Sequence, residues 1–239
     1  MRVSVVRCGR RGAVLAACLA ASGHDVVAVG TDASTRRWRR AGAPGATEPR
    51  LRRLFALALM SGRLHVTGDR TVVAGARVHV LPGDGEDDGA DPGAATRAVS
   101  RAAEEVAPHL GPGDLVVGRA AVEPGTASWL AATLAGDGVR ASVVWVPDER
   151  RPGRAVLDTL RPARLVYGLP AGTEGERAAV ILDTLHAVQL AAGALRTTTD
   201  LRTAESVGLA PVLRERVPAV TTPVPEAPAT RPLDALGAA

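Results

Sequence analysis

The residues whose types and spacing could do chemistry lie at the start of the chain, in SVVRCGRRGAVLAACLA, Ser4 to Ala20. Gly9 and Gly12 stand three apart, between an apolar run and a helix-forming one. Glycine in such a turn lets the backbone approach a pyrophosphate and lets the following helix pack on its strand, while the helix N-terminus offers positive potential. A glycine two places before Gly9 would make the turn tight, but Arg7 stands there. An arginine at that point either touches a phosphate directly or crosses the groove and blocks it. Arg7, Gly9, Arg10, Arg11 and Gly12 are therefore candidate cofactor contacts, with NAD or NADP as the ligand. The next landmark of such a site is an acidic residue closing the second strand, which bonds the adenosine ribose. Here VVAVGTD puts Gly30 there, followed by Arg36 and Arg37. Gly30 with Arg36 reads either as a seat for a 2′-phosphate, hence NADP, or as loss of ribose binding with the arginines on a solvated face.

Other candidates are weaker. The histidines at 24, 65, 79, 109 and 186 fall on separate elements without ligand spacing, so no metal site is expected. GDGEDDGAD, Gly83 to Asp91, lacks the spacing and terminal glutamate of a calcium loop and reads as a flexible connection. Asp200 and Glu205 suit a helix N-terminus, where carboxylates meet the positive end of the dipole.

These residues must be positioned by a chain of 239 residues, 46% hydrophobic but only 2% aromatic, so Ala, Val and Leu do most of the packing. All of the basic side chains are arginine, which excludes Schiff-base and lysine acid–base chemistry. Net charge is +4, with 25 acidic residues interspersed, so the cluster Arg36-Arg37-Trp38-Arg39-Arg40 reads as a solvated helix face and nucleic acid is not expected as a partner. There is no signal-peptide pattern and no apolar run of membrane-spanning length, so no membrane association and a cytoplasmic location are expected. Cys8 and Cys18 make no disulfide framework.

Apolar runs at Val3–Val6, Asp25–Val29, Val78–Leu81, Leu115–Val117, Ser142–Val146 and Leu165–Tyr167 read as strands. Helices are expected at Ala13–Ser22, Thr35–Arg40, Pro49–Ser61, Ala94–Leu110, Ala127–Leu134 and Glu174–Ala192, and at Arg202–Arg216 with interruptions at Gly208 and Pro211. This alternation predicts an α/β, Rossmann-like, doubly wound and mostly parallel sheet, followed by a C-terminal helix. Residues 1–198 are assigned to the dinucleotide-binding domain, 199–217 to the helix and 218–239 to a Pro/Ala-rich disordered tail.

Five segments in order resemble the nucleotide-sugar 6-dehydrogenase family, which includes UDP-glucose and GDP-mannose dehydrogenases. AACLAASGHDVVAVGTD is similar to its first helix and second strand, and EPRLRRLFALALMSGRLHVTGD to its EPGL helix and following strand. DLVVGRAAVEPGT resembles the strand and STVPPGT loop, VPDERRPGRAVLDTLRPARLVYG the NPEFLREG region, and TDLRTAESVGLAPV the TDxxTAExxKxxxN helix. The resemblance runs from Met1 to about Val212. It implies NAD-dependent oxidation of a sugar alcohol through an aldehyde and a cysteine thioester.

The departures fall on the positions that carry that chemistry. The loop hydroxyls become Ala120 and Ala121, while Pro124, Gly125 and Thr126 survive, Thr126 as a further candidate cofactor contact. The family glutamate becomes Asp148, one methylene shorter and the candidate catalytic residue, and the asparagine before Pro147 becomes Val146. The lysine becomes Gly208 and the asparagine four residues on becomes Val212. No counterpart of the GGxCFPKD cysteine is seen, nor of the UDP-binding C-terminal domain. The expectation is thus a truncated relative without sugar-acid-forming activity, acting by nucleotide or partner binding. The family's central helix implies a homodimer or heteromer through Arg202–Arg216. An active NAD(P)-dependent oxidoreductase of altered chemistry, using Asp148 or a water as base, is the alternative, and a decayed reading frame the third reading.

Overall fold

The computed structural model describes residues 1–30, 48, 50–83, 91–151 and 153–216. The predicted helix at 35–40, the Gly/Asp-rich loop from 84 to 90 and the tail lie outside them.

The eight described strands are β1 (Arg2–Val6), β2 (Asp25–Val29), β3 (Leu64–Thr67), β4 (Val78–Leu81), β5 (Leu115–Gly118), β6 (Ser142–Trp145), β7 (Arg164–Leu169) and β8 (Leu195–Asp200). They form one sheet in the order β3-β2-β1-β4-β5-β6-β7-β8. All neighbours pair in parallel except β6 with β7, which meet antiparallel at Trp145 and Gly168. The helices are α1 (Arg10–Ala21), α2 (Leu51–Met60), α3 (Pro92–Val106), α4 (Thr126–Gly136), α5 (Ala155–Leu160), α6 (Gly172–Leu185), α7 (Ala187–Ala191) and α8 (Leu201–Arg216). The doubly wound α/β architecture is as the sequence predicts. No helix among the described residues is long and apolar enough to cross a membrane.

Two cores sandwich the sheet. On one face α1, α2 and α6 cover Val3, Val5, Val26 and Val144. On the other, α3, α4 and α8 cover Val6, Val116, Val143 and Trp145. Small side chains allow this close layering. Ala13, Ala16, Ala17 and Cys18 of α1 are fully buried. Gly118 lies against the Trp145 ring, where an added Cβ would sit 2.0 Å from a ring carbon. Gly168 lies against α8, where an added Cβ would come within 2.5 Å of Ala204 Cβ. Two glycines, on the strands either side of β6, thus make room for a tryptophan and a helix.

Several predicted boundaries are corrected. The helix expected at Ala94–Leu110 runs Pro92–Val106, then tightens into a 3-10 turn over Ala107–His109. Asp91 caps its start by accepting from Gly93 N and Ala94 N, each at 3.1 Å. Pro108, which has no N–H for the α-helical ladder, explains the change at its end. Glu174–Ala192 is two helices, because His186 adopts non-helical angles and turns Nδ1 back onto Leu182 O at 3.0 Å. Gly208 and Pro211 do not interrupt α8. Gly208 is where the helix approaches Pro147, and a proline removes only one ladder donor. Strands β3 and β8 and helix α5 are additions to the periodicity reading, β3 being expected only from the family resemblance. The β8 run LRTTTD lies almost wholly exposed, without the apolar alternation that marks a strand.

Candidate functional site

The opening turn forms where β1 runs into α1. Cys8 N donates to Val29 O at 2.8 Å, tying the turn to the end of β2. Gly9 occupies the N-cap of α1 without a side-chain cap, and the first turn carries Arg10 and Arg11 and no acidic residue. Gly12 is buried, so the helix packs closely on the sheet. A half-buried glycine cap, a helix dipole and two cations form a suitable cradle for a diphosphate.

Arg7 answers the question raised by its position. It takes a left-handed conformation at φ 51°, the backbone state that glycine would adopt most readily. Its Nη1 donates to Glu105 Oε1 of α3 at 2.6 Å, and the other oxygen of Glu105 accepts from Arg70 Nε at 3.1 Å. The guanidinium is therefore already matched to a carboxylate. Gly30 closes β2, with its N–H donating to Thr67 O at 3.0 Å. Arg36 lies outside the described residues.

A second corner assembles at the ends of β5 and β6. Ala120 and Ala121 are buried behind Gly118, and Trp145 Nε1 donates to Ala120 O at 3.2 Å. Thr126, the first residue of α4, donates its hydroxyl to Glu123 O at 2.6 Å. The N-terminus of α4 is filled by a side chain from elsewhere. Glu205 of α8, fully buried, accepts from Gly125 N at 2.5 Å and from Ala127 N at 2.6 Å. Burial raises its carboxyl above the usual value, while the two backbone donors pull the other way. The sequence places Glu205 at a helix N-terminus, and the structure shows that the capped helix is α4. Asp200 serves α8 itself, accepting from Thr203 N at 2.9 Å.

Asp148 lies just beyond β6, and both of its oxygens are held by Arg150, from Nε and Nη2 at 2.5 Å each. Burial alone would raise this carboxyl. Arg150, then Arg119 and Arg11, outweigh that and lower it to about 2. A carboxylate so strongly stabilised in its charged form is a poor proton acceptor at neutral pH. Arg150 also donates to Arg11 O at 3.1 Å, linking this corner to the opening turn. Across from Pro147 lies Gly208, where even a Cβ would come within 3.0 Å of Pro147 Cβ.

The structure thus brings Arg7–Gly12 together with Gly30 at the opening turn and links Asp148 to that turn through Arg150, while Thr126 stands apart at the start of α4. Arg150 and Arg119 escape sequence reasoning as contributors, and Glu205 is placed at a helix N-terminus without the helix it caps. A buried arginine and its carboxylate two residues away (Asp148, Arg150) were legible as a pair only by charge. No group of three or more His, Cys, Asp or Glu among the described residues could hold a metal ion. Both cysteines are buried and free, and burial pushes the Cys18 thiol up to about 12.

The strand order, the glycine turn and the helix-end cradle together define a Rossmann-type dinucleotide-binding domain. A family profile, UDP-glucose/GDP-mannose dehydrogenase family, NAD binding domain, matches residues 1–187, and the chain belongs to that family. A UDP-glucose 6-dehydrogenase of Rhizobium meliloti (strain 1021) is 31% identical over 210 residues, covering 87% of this chain and 48% of that protein. A UDP-glucose dehydrogenase structure from Pyrobaculum islandicum superposes with a TM-score of 0.73 at 33% identity, over 88% of this chain and 48% of that one. The UDP-D-ManNAc dehydrogenase of Pyrococcus horikoshii gives 0.72 at 25% identity, over 87% and 49%. The chain therefore spans about half the length of the relatives it matches.

Proposed function

We propose that this chain is a cytoplasmic member of the family that binds a nucleotide or a partner and does not itself form sugar acids. The observation that carries this reading is Asp148, with both oxygens held by Arg150 and its carboxyl lowered to about 2. Around it, buried Ala120 and Ala121 stand where the resemblance implies hydroxyls, and the approach to Pro147 leaves little room for a side chain at Gly208. Losing one positioned proton-transfer or electrostatic group costs about 10²–10⁴-fold in rate. The ligand would be a dinucleotide lying at Gly9 and Gly12, with Arg10 and Arg11 over its phosphates. A second chain would pair through the part of α8 beyond Ala204 and Glu205, whose side chains are buried within this domain. The test is a turnover assay with UDP-glucose and either NAD or NADP, alongside light scattering. Binding without turnover is the expected result, and turnover by the purified chain would falsify the proposal.

The alternative is an active NAD(P)-dependent oxidoreductase on a nucleotide sugar or related alcohol. It is favoured by one feature, the acid-free first turn of α1 with Arg10 and Arg11. The bound dinucleotide would accept a hydride, and this chain's turn would orient it. Gly30 at the end of β2, with Arg36 nearby in sequence, then favours NADP over NAD. Calorimetric titration separates the two cofactors. No heat with either NADH or NADPH at millimolar concentration ends the alternative.

A further inference from the structure

A cavity of about 540 Å³ lies between α1, α5, α7 and the start of β7. Leu15 and Leu19 form its apolar side, and Arg119, His186 and Gln189 line it from within. Each of these three polar side chains is at least nine-tenths buried. Arg119 Nε, His186 Nε2 and Gln189 Oε1 are all buried without a hydrogen-bond partner among the described residues.

The charge pattern distinguishes Arg119 further. Other arginines around the cavity have carboxylates: Arg150 with Asp148, Arg151 and Arg154 with Asp158, and Arg164 with Glu149. Arg119 and, at the exposed rim, Arg161 make no ion pair among the described residues. Burial draws the Arg119 guanidinium down to about 10, with Asp148 supporting its charge from a distance, so it remains a cation at neutral pH. A buried cation without a matched anion is costly. Arginine's planar fork suits phosphate and carboxylate oxygens.

The other two groups ask for donors. His186 Nδ1 donates to Leu182 O at 3.0 Å, which leaves Nε2 as an acceptor on a ring kept neutral by burial. Gln189 uses its amide N–H₂ on Ser22 Oγ at 3.2 Å, leaving Oε1 to accept. A ligand matching the cavity carries an oxyanion for Arg119 and hydroxyls for His186 and Gln189.

We propose that this cavity binds a small hydroxylated oxyanion, a polyol phosphate monoester, at a site separate from the opening turn. None of residues 7–12 lines it. Arg161 at the rim draws the anion in, and Arg119 holds it.

Calorimetric titration with glycerol 3-phosphate, inorganic phosphate and glycerol tests this directly. Glycerol 3-phosphate is expected to bind more tightly than phosphate, and glycerol not at all. R119M is expected to weaken glycerol 3-phosphate about 10- to 100-fold, the range for a charged hydrogen bond, and R161Q by only a few fold. Saturating NADH should leave the affinity unchanged. Absence of heat with both anions, equal affinity in R119M, or displacement by NADH would each overturn the proposal. If R119M does not melt cooperatively, a crystal of the unaltered chain soaked in selenate decides. An anomalous peak within hydrogen-bond distance of Arg119 supports the site, and peaks only on the outer surface, an adventitious ion only, overturn it.

Discussion

The opening βαβ unit and the corner beyond β5 and β6 are two parts of one sheet edge with opposite character. In the first, the working parts are mostly backbone. Gly9, the buried Gly12 and the start of α1 remain in place, and Arg7, standing where a glycine would, is accommodated by a left-handed turn and an ion pair with Glu105. In the second, side chains would have to do the work, and those present are occupied with one another. Asp148 belongs to Arg150, the Thr126 hydroxyl to Glu123 O, and Glu205 to the N-terminus of α4. A binding scaffold survives substitutions that backbone can absorb, whereas proton transfer depends on the few side chains whose protonation and reach are set by their neighbours.

That contrast makes the second corner the more fragile in stability. Arg150→Ala would leave the Asp148 carboxylate buried and unpaired, and should destabilise the chain by about 3–5 kcal/mol in denaturant unfolding. Adding Asp148→Asn should recover most of the loss, and failure to recover would show that Arg150 acts through its bond to Arg11 O instead. In the unaltered protein, the lowered carboxyl contributes stability above pH about 4, which is lost as pH falls towards about 2.

Acid should act earlier through His186, at the helix break. Burial lowers its imidazolium from 6.5 to about 3, so the neutral form is the folded one. Stability is complete above pH about 6.5 and falls below it, by on the order of 3 kcal/mol at pH 4. Burial lowers His24 and His79 too, adding loss in the same direction. Melting temperatures from pH 8 to pH 4 measure the sum. A slope unchanged by His186→Gln would assign the loss to the other two histidines.

A smaller effect is expected where the two chain halves meet. Glu205→Ala leaves the N–H groups of Gly125 and Ala127 without their acceptor and should cost about 1–3 kcal/mol. Glu205→Gln keeps one acceptor and should cost less. Amide hydrogen exchange at Ala127 reports the local change, and unaltered protection would separate α8 from the stability of α4.

The smallest change in stability belongs to the opening turn. Arg7→Gly relieves a left-handed arginine, worth about 1–2 kcal/mol, and gives up an ion pair worth about 0.2–1 kcal/mol. Unfolding should shift by about 1 kcal/mol or less. Dinucleotide affinity, read by calorimetry, should rise if Arg7 hinders the groove and fall if it helps hold a phosphate.

Much of this molecule is legible in its sequence. Six apolar strands, the glycine turn and the capped helices carry period and composition that local physics reads without help, because buried parallel strands must be apolar and turns must be glycine-rich. The departures that the family resemblance implies at Ala120, Ala121, Val146 and Gly208 rest on residue types alone. What the chain order could not state is who answers whom across the sheet: that Arg7 finds Glu105, that Glu205 caps α4 rather than its own helix, that Arg150 closes on Asp148, and that Arg119 faces a cavity without a carboxylate. Strand β8 stayed hidden for a related reason, since LRTTTD has no apolar alternation and becomes a strand only because β7 offers a free edge to pair with. Local sequence sets backbone preference and burial, whereas charge pairing, helix capping at a distance and edge recruitment depend on which groups the packed layers bring within a few ångströms.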